Sequence, residues 1–261
     1  MNSDQLKDIS DKLCNARTTA QPVEQFSETV KEFSRQEAYQ IQENGIEFRV
    51  ANGEKRIGLK MGLTSEAKRK QMDLDSPLYG ELTDKMQVPN GGTFKMQGQI
   101  HPKIEPEVAF YIDKELSGNV TREEVLAACS GVYASLEILD SRYTQFKYFS
   151  MEDVISDNSS SSHFILGNKI ENFTDIDLTN LNMKMLVNGQ VAHEGNSAAI
   201  SGDPVVSVIQ LCELLSERNR TLPAGSIVLA GAATAAVALE PGMKVELEVE
   251  KLGKLSVTIE E

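Results

Sequence analysis

The chain has 261 residues, of which 40% are hydrophobic and 25% are charged, a composition typical of a globular protein with one large or two small domains. Its formal net charge of −13 at pH 7 argues against nucleic acid or an anionic membrane as a partner. The first residues, MNSDQLKDIS, do not resemble a signal peptide, no stretch looks long and apolar enough for a membrane span, and the three cysteines are far apart. A cytoplasmic protein is therefore expected.

The N-terminal part is predicted to be helical. Apolar residues recur at helical spacing over 6–13 and again over 26–33, with a break at 18–22 and an end at Asn44-Gly45. Strand character begins in the stretch 46–60.

The next segment, 64–80, is predicted to be a lid. Residues 64–72 are polar and helical, and glycines on both sides suit a movable segment. Asp75, Ser76 and Tyr79 could contact a ligand there, or could act only as cap and turn residues.

The remainder is predicted to be rich in strands, with a loop at 150–162. A capping box, Thr121 with Glu124, predicts a helix that ends near Cys129, and Asn188-Gly189 predicts a hairpin. A further helix is expected at 204–217, and strands at 98–112, 131–140, 164–167, 181–187, 226–230, 243–250 and 254–259. The fold class is therefore α/β (α+β), with a small helical part over 1–60 and a β-rich catalytic domain with mixed strand directions over 61–261.

Two glutamates in IHPKIEPEVAFYI indicate a cation site. Glu105 and Glu107 point to the same face of a strand, where they repel each other unless a cation lies between them. Glu137, in a second apolar run, is a third candidate, and three carboxylates suit Mg²⁺ or Mn²⁺. The alternative is an exposed edge strand with a charged face, as the alternation over 246–250 suggests for the C-terminal region.

Lys60 lies in an unusually apolar run, 57–63. Burial would lower the pKa of its ammonium group and make it a proton donor or acceptor near neutrality. The alternative is a lysine whose stem covers apolar surface while its charge reaches water. The polar cluster that contains Asp157 and Ser160 could bind a carboxylate or form an Asx-type turn.

Taken together, these motifs resemble the hydratase/decarboxylase branch of the fumarylacetoacetate hydrolase superfamily. The resemblance covers nearly the whole chain in the right order. It rests on Gly58–Ser65, Asp75–Gly80, His101–Glu107, Leu136–Arg142, Asp157–Asn158 and Ala230–Val237.

The resemblance implies a mixed β-rich fold of that type and a divalent metal, Mg²⁺ or alternatively Mn²⁺, on Glu105, Glu107 and Glu137. It also implies that Lys60 is catalytic and that substrate oxygens contact residues among Asp75, Ser76, Tyr79, Asp157, Ser160 and Thr234. The lid stretch has no histidine to activate water, which disfavours the hydrolysis performed elsewhere in the superfamily.

The implied function is Mg-dependent decarboxylation of 2-oxo-3-hexenedioate, a small dianionic 2-oxo acid, to 2-hydroxypenta-2,4-dienoate in aromatic meta-cleavage catabolism. Hydration of 2-hydroxypenta-2,4-dienoate is the first alternative, and a non-catalytic partner subunit is the second. A homo-oligomer and a physical complex with the partner hydratase are further expectations from the resemblance.

Overall fold

The protein is described here by a computed structural model, which covers residues 1–71, 74–145 and 150–261. The α-helices within those residues are α1 (Ser3–Thr19), α2 (Arg35–Ala51), α3 (Glu66–Gln71), α4 (Arg122–Ala128), α5 (Met151–Ser156) and α6 (Pro204–Ser216). The strands are β1 (Arg56–Gly62), β2 (Leu78–Thr83), β3 (Thr93–Lys95), β4 (Lys103–Ile112), β5 (Cys129–Leu139), β6 (Ser161–Leu166), β7 (Asn182–Val187), β8 (Gln190–Asn196), β9 (Ser226–Ala232), β10 (Val237–Ala238), β11 (Lys244–Val249) and β12 (Gly253–Glu260).

The strands form two mixed sheets. One has the order β2-β1-β9-β4-β5-β6, with β10 also paired to β4, and the other has the order β3-β12-β11-β7-β8. Strands β1 and β9 are parallel, as are β3 and β12, and the other pairs are antiparallel. The predicted class, a β-rich α/β protein with mixed strand directions, is confirmed.

Strand β4 lies inside its sheet, hydrogen-bonded to β5 on one side and to β9 on the other. Its apolar run 108–112 is buried except for Tyr111, because both faces of this part of the sheet are covered. The interpretation of the Glu-Pro-Glu motif as an exposed edge strand is therefore wrong.

The N-terminal helices differ from the prediction. Residues 26–28 form a short 3-10 turn, and α2 begins only after Ser34, whose side chain forms a reciprocal capping box with Glu37. The helix then continues through Asn44-Gly45 to Ala51, so the helix end predicted at this dipeptide is wrong. The strand predicted from residue 46 therefore begins at residue 56.

The region predicted as a loop at 150–162 is also ordered. Ser150 caps α5 by accepting a hydrogen bond from the Asp153 backbone N–H, and β6 begins at Ser161. The serine hydroxyl groups of this region are buried and serve as helix caps and hydrogen-bond donors. A serine-rich sequence therefore does not indicate a loop here.

Several local signals are confirmed. Thr121 and Glu124 form the capping box of α4, and Asn188-Gly189 joins β7 to β8 as a hairpin. Helix α3 confirms the helical character predicted within 64–72, the expected end at residue 72 lies outside the described residues, and the role of 64–80 as a lid stays a prediction. The boundary proposed at residue 60 falls inside β1, and the division into two parts stays a prediction.

Among the described residues, the segment Ser197–Ser216 is long and apolar enough (mean hydropathy 1.4) to cross a membrane by length and composition only, and it overlaps the helix predicted at 204–217. Of its most apolar window, 56% is buried inside the protein. The buried side chains of α6 pack against β9 and α4, the arrangement of a core helix in a globular domain.

Acid destabilisation is expected to involve His163 on β6. Burial, followed by the charges of Arg17, Arg49 and Arg142, lowers the pKa of His163 from 6.5 to about 4. The unfolded chain then binds this proton more readily below pH 6.5, so stability is present above that pH and is lost as the pH falls toward 4, by up to about 3 kcal/mol.

The expectation is tested by urea unfolding between pH 7.5 and pH 4.5. His163→Gln should show a smaller loss of unfolding free energy across this range than the wild type. His193→Gln, on β8 in the other sheet, is the control and should lose as much unfolding free energy across this pH range as the wild type. An equal loss of unfolding free energy with falling pH in His163→Gln and the wild type would contradict the role assigned to His163.

Candidate active site

The pairing of β4 with β5 brings the three predicted carboxylates together. Glu105 lies directly opposite Glu137 in the antiparallel register, and Glu107 follows on the same face of β4. One carboxylate oxygen from each of the three residues lies within 4.8 Å of the other two. The arrangement has the spacing of a site for one cation with oxygen ligands.

Two of these carboxylates are completely buried. Glu107 and Glu137 are both 0% exposed, and Ser161 Oγ donates a 2.8 Å hydrogen bond to Glu137 Oε1. The Gly231 backbone N–H donates to Glu107 Oε2 at 2.7 Å, while Glu107 Oε1 has no hydrogen-bond partner among the described residues. Burial, followed by the charges of Glu137 and Glu105, raises the pKa of Glu107 well above its usual value.

The contact between Glu107 and the backbone depends on a glycine. Gly231, the residue before the last one of β9, has φ of +109°, and a Cβ at this position would lie 2.4 Å from Thr64 Oγ1. Any larger residue would push the N–H of residue 231 away from Glu107 or displace Thr64.

Lys60 lies beside the carboxylates on β1. Its Nζ is 2.9 Å from Glu137 Oε2 and donates to Ser159 O at 3.3 Å and to Ser159 Oγ at 3.2 Å. The side chain is only 3% exposed, so the alternative in which its charge reaches water is wrong. Three carboxylates and one ammonium leave a formal charge of −2, which a divalent cation would neutralise.

The pKa of Lys60 does not follow the prediction from burial alone. Burial lowers it, but the charges of Glu137, Glu105 and Glu107 together outweigh burial and raise the pKa above its usual value. The expected lowering is therefore wrong for this arrangement, because the sequence did not reveal how closely all three carboxylates surround the ammonium.

Ser159, which the sequence interpretation did not select, lies in a strained turn. Asn158, Ser159 and Ser160 have φ of 52°, 55° and 54°, a left-handed conformation that costs roughly 1 kcal/mol or more per non-glycine residue. Asn158 holds the turn by accepting from the Glu81 N–H at 2.7 Å and donating to Glu81 O at 2.9 Å. The Asp-Asn-Ser-Ser sequence signalled polar turn chemistry but not which serine would face Lys60.

These residues adjoin a cavity of about 340 Å³. Three of the predicted site residues line it, namely Lys60, Glu105 and Thr234, and Ser159 joins them. The other lining residues are Met61, Gly62, Leu63, Thr64, Ser65, Leu78, Lys103, Leu139, Val154, Ala232, Ala235 and Ala236. The cavity therefore combines charged groups with largely apolar walls, as small-molecule sites commonly do.

Two predicted substrate contacts from the polar cluster at 157–160 are directed elsewhere. Asp157 forms an ion pair with Arg142, and Ser160 Oγ donates to Asp157 Oδ2 at 3.2 Å. Burial raises the pKa of Asp157 to about 6, against the opposing effect of Arg142. Neither residue is among the described residues that line the cavity, and their contacts with substrate stay predictions.

The predicted contacts from the lid segment also lie away from the cavity wall. Asp75 forms an ion pair with Arg35 of α2, and Ser76 Oγ accepts from Arg35 at 3.2 Å. Tyr79 is buried and stacked on Tyr39, with ring centroids 4.5 Å apart. These contacts tie the end of the segment to α2, and the roles of the three residues toward substrate stay predictions.

Comparison with known proteins connects this site to a family. Residues 60–260 match the family described as fumarylacetoacetate (FAA) hydrolase C-terminal. A curated 4-oxalocrotonate decarboxylase from Pseudomonas sp is 46% identical over 220 residues, covering 84% of this chain and 85% of that protein. A 2-hydroxyhexa-2,4-dienoate hydratase from Comamonas testosteroni is 32% identical over 253 residues, covering 96% of both chains.

The fold agrees with the sequence comparison. The solved structure of 4-oxalocrotonate decarboxylase from Pseudomonas putida G7, complexed with magnesium and adipate, is 35% identical to this chain. It superposes with a TM-score of 0.96 over 99% of this chain and 98% of that one. By sequence over residues 60–260 and by fold over almost its full length, the chain belongs to the fumarylacetoacetate hydrolase family.

Proposed function

We propose that this protein is a Mg²⁺-dependent decarboxylase that converts 2-oxo-3-hexenedioate (4-oxalocrotonate) to 2-hydroxypenta-2,4-dienoate in aromatic meta-cleavage catabolism. The observation that carries the proposal is the near-complete structural similarity, at 35% identity, to a 4-oxalocrotonate decarboxylase. The three carboxylates and the buried lysine supply the chemical groups that such a reaction needs.

The residues fit a divalent metal. Glu105, Glu107 and Glu137 would hold it through oxygen atoms, the ligand type that Mg²⁺ prefers, and Mn²⁺ is the alternative. The buried Glu107 Oε1 has no hydrogen-bond partner among the described residues, as expected of an atom reserved for a cation. When bound, the metal supplies Lewis-acid polarisation of the 2-oxo acid.

The surrounding side chains orient the substrate and exclude water. Decarboxylation breaks the C5–C6 bond, and its electron pair moves through the alkene to the C2 oxygen, which must then gain a proton. Lys60 is the buried ammonium beside the carboxylates and the candidate donor of that proton, with Ser159 holding its Nζ. Leu63, Leu139 and Val154 give the cavity apolar walls, which favour a charged carboxylate leaving as neutral CO₂.

Hydration is the second candidate reaction. The 32% identity with a dienoate hydratase over 96% of both chains favours it, since both reactions use an extended enolate of a 2-oxo acid. The higher identity with a decarboxylase, 46% over 84% of the chain, favours the first reaction. A non-catalytic partner subunit is less compatible with three carboxylates and a buried lysine gathered in one site.

The proposal extends to partners and location. We infer a small dianionic 2-oxo acid as the substrate, a homo-oligomer, a complex with the hydratase of the same pathway, and a cytoplasmic location. Size-exclusion chromatography with light scattering, with and without the hydratase, tests the two assemblies.

A direct assay distinguishes the candidate reactions. Purified protein with Mg²⁺ should release one CO₂ per 2-oxo-3-hexenedioate consumed, and chelation should stop the release because the carboxylates then lack their cation. CO₂ is measured by a coupled assay, with heat-denatured protein as the control for spontaneous decarboxylation. Water addition to 2-hydroxypenta-2,4-dienoate without CO₂ release would instead identify a hydratase.

A further inference from the structure

The cavity is lined by a second lysine besides Lys60. Lys103 lies on β4 two residues before Glu105, so Lys103, Glu105 and Glu107 project from one face of the strand. Lys103 and Glu105 are partly buried and line the cavity, whereas Glu107 is completely buried. The row therefore runs from two partly buried cavity residues to a completely buried carboxylate.

The spacing along this row matches a short dicarboxylate. Alternate residues of a strand lie about 7 Å apart, so the bases of the Lys103 and Glu105 side chains have that separation. A six-carbon chain of ordinary carbon–carbon bonds separates its two carboxyl carbons by about 6 Å. Because Lys103 and Glu105 line the same cavity, a dicarboxylate of this length with one end at the three glutamates can extend toward Lys103.

The charge balance of the cavity also favours a cationic side chain in addition to the metal and Lys60. The three carboxylates and Lys60 sum to −2, and a divalent metal brings this to zero. A dianionic substrate then adds two negative charges inside a cavity whose other walls include Leu63, Leu139 and Val154. An uncompensated carboxylate against such walls would be strongly disfavoured, and Lys103 is the cavity residue placed to compensate it.

We propose that Lys103 binds the distal carboxylate of the substrate and makes the site selective for dicarboxylates over monocarboxylates. The proposal rests on the proposed function, because it takes the metal end of the cavity as the site of the 2-oxo acid. Lys103 contributes to specificity and not to the bond-breaking step. The carboxylate that it holds loses its charge as CO₂ forms, so the ion pair is stronger in the ground state than in the transition state.

Binding of two inert acids tests the assignment. Isothermal titration of the Mg²⁺-loaded protein should give about tenfold tighter binding of adipate than of hexanoate, the fold-change expected for one charge-assisted contact. Lys103→Met and Lys103→Gln should each bring this ratio close to one, and Lys103→Arg should preserve most of it. Lys114→Met, an exposed lysine beyond the other end of β4, is the matched control and should retain the wild-type ratio.

Steady-state kinetics give a second readout. The neutral variants should raise KM for 2-oxo-3-hexenedioate by about tenfold and should not lower kcat, because the contact that is lost is stronger in the ground state than in the transition state. A wild-type ratio of adipate to hexanoate affinity in both neutral variants would overturn the assignment of Lys103. The reaction itself is judged separately, by CO₂ release from the wild-type protein, so the two hypotheses can fail independently.

Discussion

Glu107→Gln is expected to abolish Mg²⁺ binding and to lower decarboxylation by about a thousandfold, because it removes one oxygen ligand and one negative charge from the cluster. The shape is preserved, since the amide oxygen can still accept from the Gly231 N–H. Mg²⁺ affinity is measured by isothermal titration and activity by CO₂ release. Retention of wild-type metal affinity would rule out Glu107 as a ligand.

The same variant should not be destabilised when the metal is removed. The raised pKa of Glu107 means that its charged form is less favourable in the folded, metal-free protein than in the unfolded chain, and glutamine carries no charge. Thermal unfolding in chelator should therefore give a Tm no lower than that of the wild type, while the increase in Tm on adding Mg²⁺ should disappear. Glu246→Gln, from the alternating acidic strand β11, is the matched control and should keep both metal binding and activity.

Lys60→Met is expected to behave in the opposite way to Glu107→Gln, with a lower Tm in chelator and undiminished Mg²⁺ binding. It leaves Glu137 without its ion-pair partner, and breaking a buried pair by removing one member costs roughly 3–5 kcal/mol. The metal-free variant should therefore unfold at a lower Tm, whereas Mg²⁺ should bind at least as tightly as in the wild type because a competing positive charge is gone. Activity should fall by about a hundredfold or more, as expected for loss of a group that transfers a proton.

The comparison of Tm with and without Mg²⁺ separates the contributions of Lys60. A variant that is unstable only in chelator has lost charge compensation, and a variant that is inactive even when saturated with Mg²⁺ has lost a catalytic group. Lys85→Met, an exposed lysine after β2, serves as the control for loss of a positive charge. Full activity of folded, Mg²⁺-saturated Lys60→Met would exclude a catalytic role for Lys60.

The position of Ser159 beside Lys60 depends on an unusual backbone conformation. Ser159 reaches Lys60 only because three consecutive residues adopt left-handed backbone angles, held by the Asn158 side chain against the Glu81 backbone. The strain of this turn is sustained by the buried contacts around it, a pattern that commonly marks functional sites.

The sequence by itself identified the chemistry. Alternation along a strand put Glu105 and Glu107 on one face, and apolar flanks marked Glu137 and Lys60 as unusual buried charges. Capping boxes and turn dipeptides are similarly local, since they depend on side chains within a few residues of the backbone groups that they bind. Such signals can be recognised without knowledge of which strands are neighbours.

Only the tertiary structure decided what these groups do to one another. The pairing of β4 with β5 and β9 buried Glu107 and Glu137 and set the three carboxylates within 4.8 Å, and their combined charge reversed the direction expected for the pKa of Lys60. The tertiary structure likewise places Ser159 against Lys60 and pairs Asp157 with Arg142. The physical reason is that Coulomb interactions and burial depend on distances between segments far apart in the chain, which no local pattern of residues specifies.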